Sequence, residues 1–367
     1  MYFLIFILLL IVSVFAFFSF APQMGKSAKG ERLQRIQDSP NFKDGVFQNP
    51  IATNMGISSS DIFSLIKDYR KDTKLRTPTV ALPTKAYDKD YFESIREDSA
   101  AFCWFGHSSL LLKIQGITIL TDPVFSERAS LVSFAGPKHF EYQHRFTAGD
   151  LPKIDLLILS HDHYDHLDYK TIKALISTVG QYLVPLGVGA HLESWGVVPE
   201  KIIESDWWET HQLQGLEITS APSRHFSGRG ISNRNTTLWC SWAIKSQRHN
   251  VYYGADSGFH PIFNEIGDKL GPFDIAFIEC GAYSKYWADI HMLPEESVQA
   301  GTQLNTKIAM PIHWGKFNLS IHPWKEPIER FTKRANEVRL PYICPLPGKI
   351  VMLNGEMEMT HWWEGVD

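Results

Sequence analysis

DLLILSHDHYDHLD, residues 155–168, is the stretch on which the reading of this chain turns. Leu156-Leu157-Ile158-Leu159 is a short, continuously apolar run, as expected of a strand buried on both faces. Asp168 ahead of YKTIKALIST reads as an N-cap and a helix. His161, His163, Asp165 and His166 therefore fall on a strand-to-helix loop. Three imidazoles and a carboxylate in six residues are costly at the end of an apolar stretch unless positive charge holds them, and a metal pair would supply it. In extended chain His161 and His163 point the same way. Asp165 and His166 begin to turn toward the helix and can face a second ion. Helix capping alone would explain one such histidine, but not the whole run.

Two metals need more ligands than four. His225 follows the strand-like stretch ITSAPSR and precedes FSGRG, Asp256 follows VYYGA in a glycine-flanked turn, and His313 follows IAMPI before Trp314-Gly315. Each alone is as readily a cap as a ligand. Repeated at successive strand ends, in this order, they extend the set begun at His161.

The order H-x-H-x-D-H, lone His, Asp, final His resembles that of metallo-β-lactamase-fold hydrolases. Within them, RHFSGRG with NTTLWCSW at 235–242, GVFQNP at 45–50, WFGHS at 104–108, TDPVFS at 121–126 and HMLPEE at 291–296 resemble the N-acyl-phosphatidylethanolamine-hydrolysing phospholipase D family, over roughly residues 45–365. The resemblance implies an α+β fold, a four-layer αββα sandwich. It also implies two zinc ions, with iron or manganese as substitutes: His161, His163 and His225 on one, Asp165, His166 and His313 on the other, and Asp256 bridging. A hydroxide between two such ions is a nucleophile at neutral pH. Asp165 and His291 are the candidate catalytic residues. His291 enters the helix LPEESVQAGTQL either as a partner of the leaving group or as a helix-entry histidine without chemistry. His107 either orders a loop beside the site or is a satisfied core residue, and His139, His144, His249, His260 and His322 read as surface or structural.

Residues 1–20, MYFLIFILLLIVSVFAFFSF, carry no charge and are long enough to span about 30 Å of hydrocarbon as a helix. They read as an uncleaved single-pass membrane anchor; a cleaved signal peptide is the alternative, but the basic n-region is missing. Lys26, Lys29, Arg32 and Arg35 follow it, which would leave the catalytic part on the cytoplasmic side. Residues 21–97 read as a lead-in wrapping a catalytic domain at 98–367. Thirty-six Lys+Arg against forty Asp+Glu, without a basic stripe, give no reason to expect nucleic acid as a partner. Cys103, Cys240, Cys280 and Cys344, far apart in apolar stretches, read as buried free thiols. The expectation is a membrane-anchored dizinc hydrolase cleaving a phosphodiester of a phospholipid, N-acylated or plain. A lactonase or other ester hydrolase on the same metals, and a metal-binding membrane protein without turnover, are the alternatives; oligomeric state is not legible.

Overall fold

Alternation within the first strands sets the layers. In β3 (Ala100–Trp104), after the small hairpin of β1 (Phe42–Lys43) and β2 (Val46–Phe47), Ala100, Phe102 and Trp104 enter one core while Ala101 and Cys103 enter another. β4 (Leu110–Ile114) does the same, with Leu110, Leu112 and Ile114 on one face and Leu111 on the other. A strand with no polar face must be covered on both sides. Each sheet here is accordingly covered by the other sheet and by helices. A computed structural model describes residues 2, 5–6, 17, 21–56, 58, 60–71, 73–230, 232–353, 355 and 360–366.

β5 (Ile117–Thr121), β6 (Ile154–Ile158), β7 (Val179–Pro185) and β8 (Ile202–Ser205) continue the first sheet. The second comprises β9 (Thr210–Leu213), β10 (Leu216–Ala221), β11 (Ser241–Lys245), β12 (Asn250–Tyr253), β13 (Ile275–Glu279) and β14 (Ala309–Ile312). β15 (Ile350–Met352) returns to the first sheet beside β3, giving the orders β15-β3-β4-β5-β6-β7-β8 and β14-β13-β12-β11-β10-β9. β5 through β8 run parallel, as do β12 through β14; the remaining pairs are antiparallel.

The helices, in chain order, are α1 (Gly30–Gln37), α2 (Asp61–Tyr69), α3 (Lys89–Ser94), α4 (Tyr169–Leu175), α5 (Gly189–Ser194), α6 (Ile262–Leu270), α7 (Pro294–Gln303) and α8 (Glu326–Val338). Phe92, Ile172, Leu175 and Leu192 of α3, α4 and α5 cover the outer face of the first sheet. Phe263, Val298, Phe331 and Ala335 of α6, α7 and α8 pack with the second sheet. The four-layer αββα sandwich is the observed fold. Between the sheets Phe102 meets Phe277 edge-on at 5.1 Å. Asp168 caps α4 by accepting from Lys170 N, and the four cysteines are buried and unpaired.

Residues ahead of β3 lie against the sandwich at several points. Phe47 is fully buried, and Asn49 exchanges hydrogen bonds with the backbone of His225.

The membrane anchor expected at 1–20 is corrected. A helical span needs about 20 apolar residues, and no helix among the described residues is long and apolar enough to cross a membrane. Most of that run lies outside the described residues. The single-pass placement, and the cytoplasmic side inferred from it, fall with the anchor.

Candidate metal centre

Parallel pairing brings strand C-termini to a common rim. Asp122 follows β5, the run 160–166 follows β6, Asp256 follows β12, Glu279 ends β13 and His313 follows β14, with His225 beyond β10. The backbone there is held in unusual shapes: His107, Asp122, Ala255 and His313 all have positive φ. Non-glycine residues adopt that region at a cost that concentrates at functional sites. The glycine after Asp256 serves the fold and not a ligand, since a Cβ on Gly258 would lie 1.9 Å from the carbonyl oxygen of Asp289.

All seven residues singled out from the sequence meet at this rim. His163 Nδ1 lies 2.9 Å from His161 Nε2 and 3.3 Å from His225 Nε2, forming one triad. Asp165 Oδ2 lies 3.6 Å from His166 Nε2 and 3.5 Å from His313 Nε2, forming the other. Asp256 stands between them. Its Oδ2 is 3.9 Å from His161 Nε2, 3.6 Å from His225 Nε2 and 3.1 Å from His313 Nε2, and its Oδ1 is 3.1 Å from His166 Nε2.

Three of the outward nitrogens are anchored, while His163 Nε2 and His313 Nδ1 are not. His225 Nδ1 donates to the Ile290 carbonyl at 2.9 Å, His166 Nδ1 to Asp122 Oδ2 at 2.7 Å, and His161 Nδ1 lies 2.9 Å from Ser160 Oγ. These contacts fix which ring nitrogen is free to face inward. His291, more open at 12% side-chain exposure than His161, His166, His225 and His313, pairs its Nδ1 with Glu279 Oε2 at 2.7 Å. Its ring sits 5.1 Å from those of both His225 and His313, at the mouth between the triads. His107 is no bystander: its Nε2 meets Asp165 Oδ2 at 3.0 Å.

Several inward atoms have no hydrogen bond at all. His166 Nε2, His313 Nε2 and Asp256 Oδ1 are buried without a partner. Each such group costs about 1–3 kcal/mol if left unsatisfied, and a shared cation would satisfy all of them. Charge follows the same logic. Burial pushes the His161 imidazole well below its usual range, and the neighbouring imidazoles add to it. Burial would raise Asp165 and Asp256, but the imidazoles around them, His166 foremost, hold both carboxyls well below the carboxylate range. Neutral imidazole and ionised carboxylate are the forms that ligate; His166 and His313, which Asp256 and Asp165 raise against the effect of burial, would have to release a proton to a cation taking the site. The donor set, nitrogen from histidine and oxygen from aspartate, suits zinc and also iron or manganese.

Sequence reading missed four residues that build the site. Asp122 accepts from Ser160 N at 2.8 Å, from Ser160 Oγ, from Tyr253 OH at 2.6 Å and from His166. Glu279 accepts from the backbone of Ser257 and Met292 as well as from His291. Asp162, inside the histidine run, turns away to His191 Nε2 at 3.2 Å and Gly228 N at 2.6 Å. Arg229 donates from Nη1 to the carbonyls of Asp162 and Leu167, tying the loop at two points. Asp122 and Glu279 did carry a signal, since each is an acid ending an apolar strand.

A family model described as beta-lactamase superfamily domain matches residues 118–314. An uncharacterised protein of Mycobacterium tuberculosis is 40% identical over 332 residues, 89% of this chain and 88% of its own. The N-acyl-phosphatidylethanolamine-hydrolyzing phospholipase D 1 of Caenorhabditis elegans is 33% identical over 293 residues, 74% of this chain and 81% of its own. Among solved structures, a metallo hydrolase of the archaeon Ignicoccus hospitalis superposes with a TM-score of 0.52 at 20% identity, covering 70% of this chain and 100% of its own. At that identity the likeness speaks for the fold alone.

Proposed function

The chain belongs to the beta-lactamase superfamily, among the relatives of the N-acyl-phosphatidylethanolamine-hydrolysing phospholipases D, and from that premise we propose that this metal-dependent hydrolase is a phospholipase D-type phosphodiesterase holding two zinc ions. His161, His163 and His225 would hold one ion and Asp165, His166 and His313 the other. The observation that carries this reading is the place of Asp256, whose carboxylate lies within 3.9 Å of nitrogens from both triads and so can serve both ions. Bound ions would supply Lewis acidity and lower the pKa of a water from about 15.7 toward 7.

The chain's own residues orient and move protons. Hydrolysis adds water to a phosphodiester, breaks the phosphorus–oxygen bond to the head-group alcohol, and leaves one proton for that alcohol. His291, fixed through Nδ1 by buried Glu279, presents Nε2 as the atom to deliver it at the mouth of the site. Asp122 holds the His166 tautomer, and His107 steadies Asp165. A phospholipid substrate is supported by the nematode relative's name.

The test is incubation of the zinc-loaded full chain with N-acyl phosphatidylethanolamine micelles in oxygen-18 water. Appearance of phosphatidate carrying one label, with unlabelled N-acylethanolamine, is expected. Turnover of lactones or carboxylic esters without any phosphodiester product would replace this reading with that of an ester hydrolase.

A further inference from the structure

Beside the histidine loop is a polar cavity of about 120 Å³ whose wall includes Ser126, Arg128, Ser130, Tyr164, Lys170 and Arg229. By this measure a cavity needs about 10–15 Å³ to admit one water, so a tetrahedral oxyanion fits. Arg229 is only 3% exposed. Its Nε donates to Gln23 O at 2.8 Å and its Nη1 to the Asp162 and Leu167 carbonyls at 2.6 and 2.8 Å, while the guanidinium lies 4.1 Å from the Tyr164 ring centre. Nη2 has no partner, and no carboxylate among the described residues forms an ion pair with it. Asp162 and Asp168 lie close enough to act on its charge but reach none of its nitrogens, and a buried guanidinium with an unsatisfied N–H is expensive. The side chain of Gln23, another wall residue, adds a second orphan: its Oε1 is buried with no donor.

We propose that this cavity binds a phosphate monoester. Near neutral pH a monoester, with its second pKa about 6, presents both P–O⁻ and P–OH. The oxyanion answers the free Nη2 of Arg229 through a charge-assisted hydrogen bond, and the hydroxyl answers Gln23 Oε1. A carboxylate or a sulfate supplies acceptors only. The two wall carboxylates do not oppose the anion freely: Glu127 is paired with Lys138 at 3.2 Å, and Asp168 already accepts from Ser126 N, Ser126 Oγ, Lys170 N and the Thr171 hydroxyl. Arg128 and Lys170 add positive charge at the rim. Free phosphate and a lipid phosphate-monoester head group share this chemistry, and the site does not depend on the phospholipase reading.

Calorimetric titration of the metal-loaded full chain with inorganic phosphate, sulfate and dihexanoyl phosphatidate tests it, alongside Arg128→Ser/Lys170→Ser and Arg229→Lys. Wild type should take one phosphate equivalent that the double variant binds about tenfold or more weakly, the loss expected from removing two charged contacts. Metal content and melting temperature of the double variant should stay unchanged. Arg229→Lys keeps the charge without the fork and should also weaken phosphate, its metal content reporting whether the histidine loop has moved. Sulfate should bind more weakly than phosphate. Equal affinity for phosphate and phosphatidate identifies the phosphate group alone as what is recognised; tighter phosphatidate identifies a lipid head group. Phosphate binding equal in wild type and both variants, or sulfate as tight as phosphate, overturns the assignment.

Discussion

Asp122→Asn isolates how a buried carboxylate behind the metal centre controls the atom that faces it. Asp122 is wholly buried, and Oδ2 receives His166 Nδ1, Ser160 Oγ and Tyr253 OH, while Oδ1 receives Ser160 N. Asparagine keeps the shape, and its oxygen can stay on Ser160 N. The new NH₂ then meets three donors. The two hydroxyls can turn and accept from it, but the His166 Nδ1–H cannot. His166 escapes only by moving its proton to Nε2, the nitrogen 3.1 Å from Asp256 Oδ1, and a protonated Nε2 has no lone pair for a metal. Loss of such a support typically weakens metal binding 10–100-fold, about 1.4–2.7 kcal/mol. Metal titration with a chromophoric competitor should show one of two zinc equivalents weakened by that factor, with activity restored by excess zinc. Tyr253→Phe is the control: it removes a donor to the same carboxylate without touching His166, so it should cost about 1–3 kcal/mol of stability and leave both equivalents tight. If Asp122→Asn binds both metals as wild type does, or if Tyr253→Phe loses metal equally, the tautomer argument fails.

Three further outcomes follow from the geometry. Asp256→Asn should lower metal content and activity together, because one carboxylate serves both triads; full activity on assay would remove Asp256 from its proposed place. His291→Ala should keep both metals and reduce turnover by about 10²–10⁴-fold, the usual worth of a positioned proton donor, and elemental analysis beside kinetics separates it from a ligand. Lys316 Nζ is buried on the carbonyls of Phe105 and Val124, and burial pushes its ammonium down to about 7. Unfolded lysine holds its proton to about 10.4, so between those values the unfolded state binds more protons and stability rises with pH. Unfolding free energies from urea titrations at pH 7 and 9 should differ by up to about 2–3 kcal/mol more in wild type than in Lys316→Met; parallel pH slopes in the two proteins would contradict it.

What the sequence made legible was whatever lies close along the chain or repeats at strand ends. The apolar runs at 110–114, 117–121, 156–158, 251–253, 275–279 and 309–312 are strands because β-branched and large apolar residues fill two-faced sheets. His161 through His166 were visible because one loop carries three histidines and two aspartates where none is affordable. Asp122 and Asp162 were not, for a physical reason. A lone acid at a strand end can cap, pair or solvate a turn, and only the parallel pairing of β5 with β6 shows that Asp122 sits beside Ser160 and behind His166. Glu279 likewise gains its meaning from β13 lying beside β14, which sets its Oε2 3.8 Å from His313 Nδ1 and near His291. The run 1–20 misled in the opposite way, since hydropathy records what a segment could span, and a span also requires a continuous helix of about 20 residues, which none of the described helices provides. The atoms that would face the proposed ions can thus be found by spacing, whereas the atoms that fix the ring tautomers are found only once sheet order is known. Tests confined to the seven inward residues would miss half of what sets the chemistry, and Asp122 is where that difference can be measured.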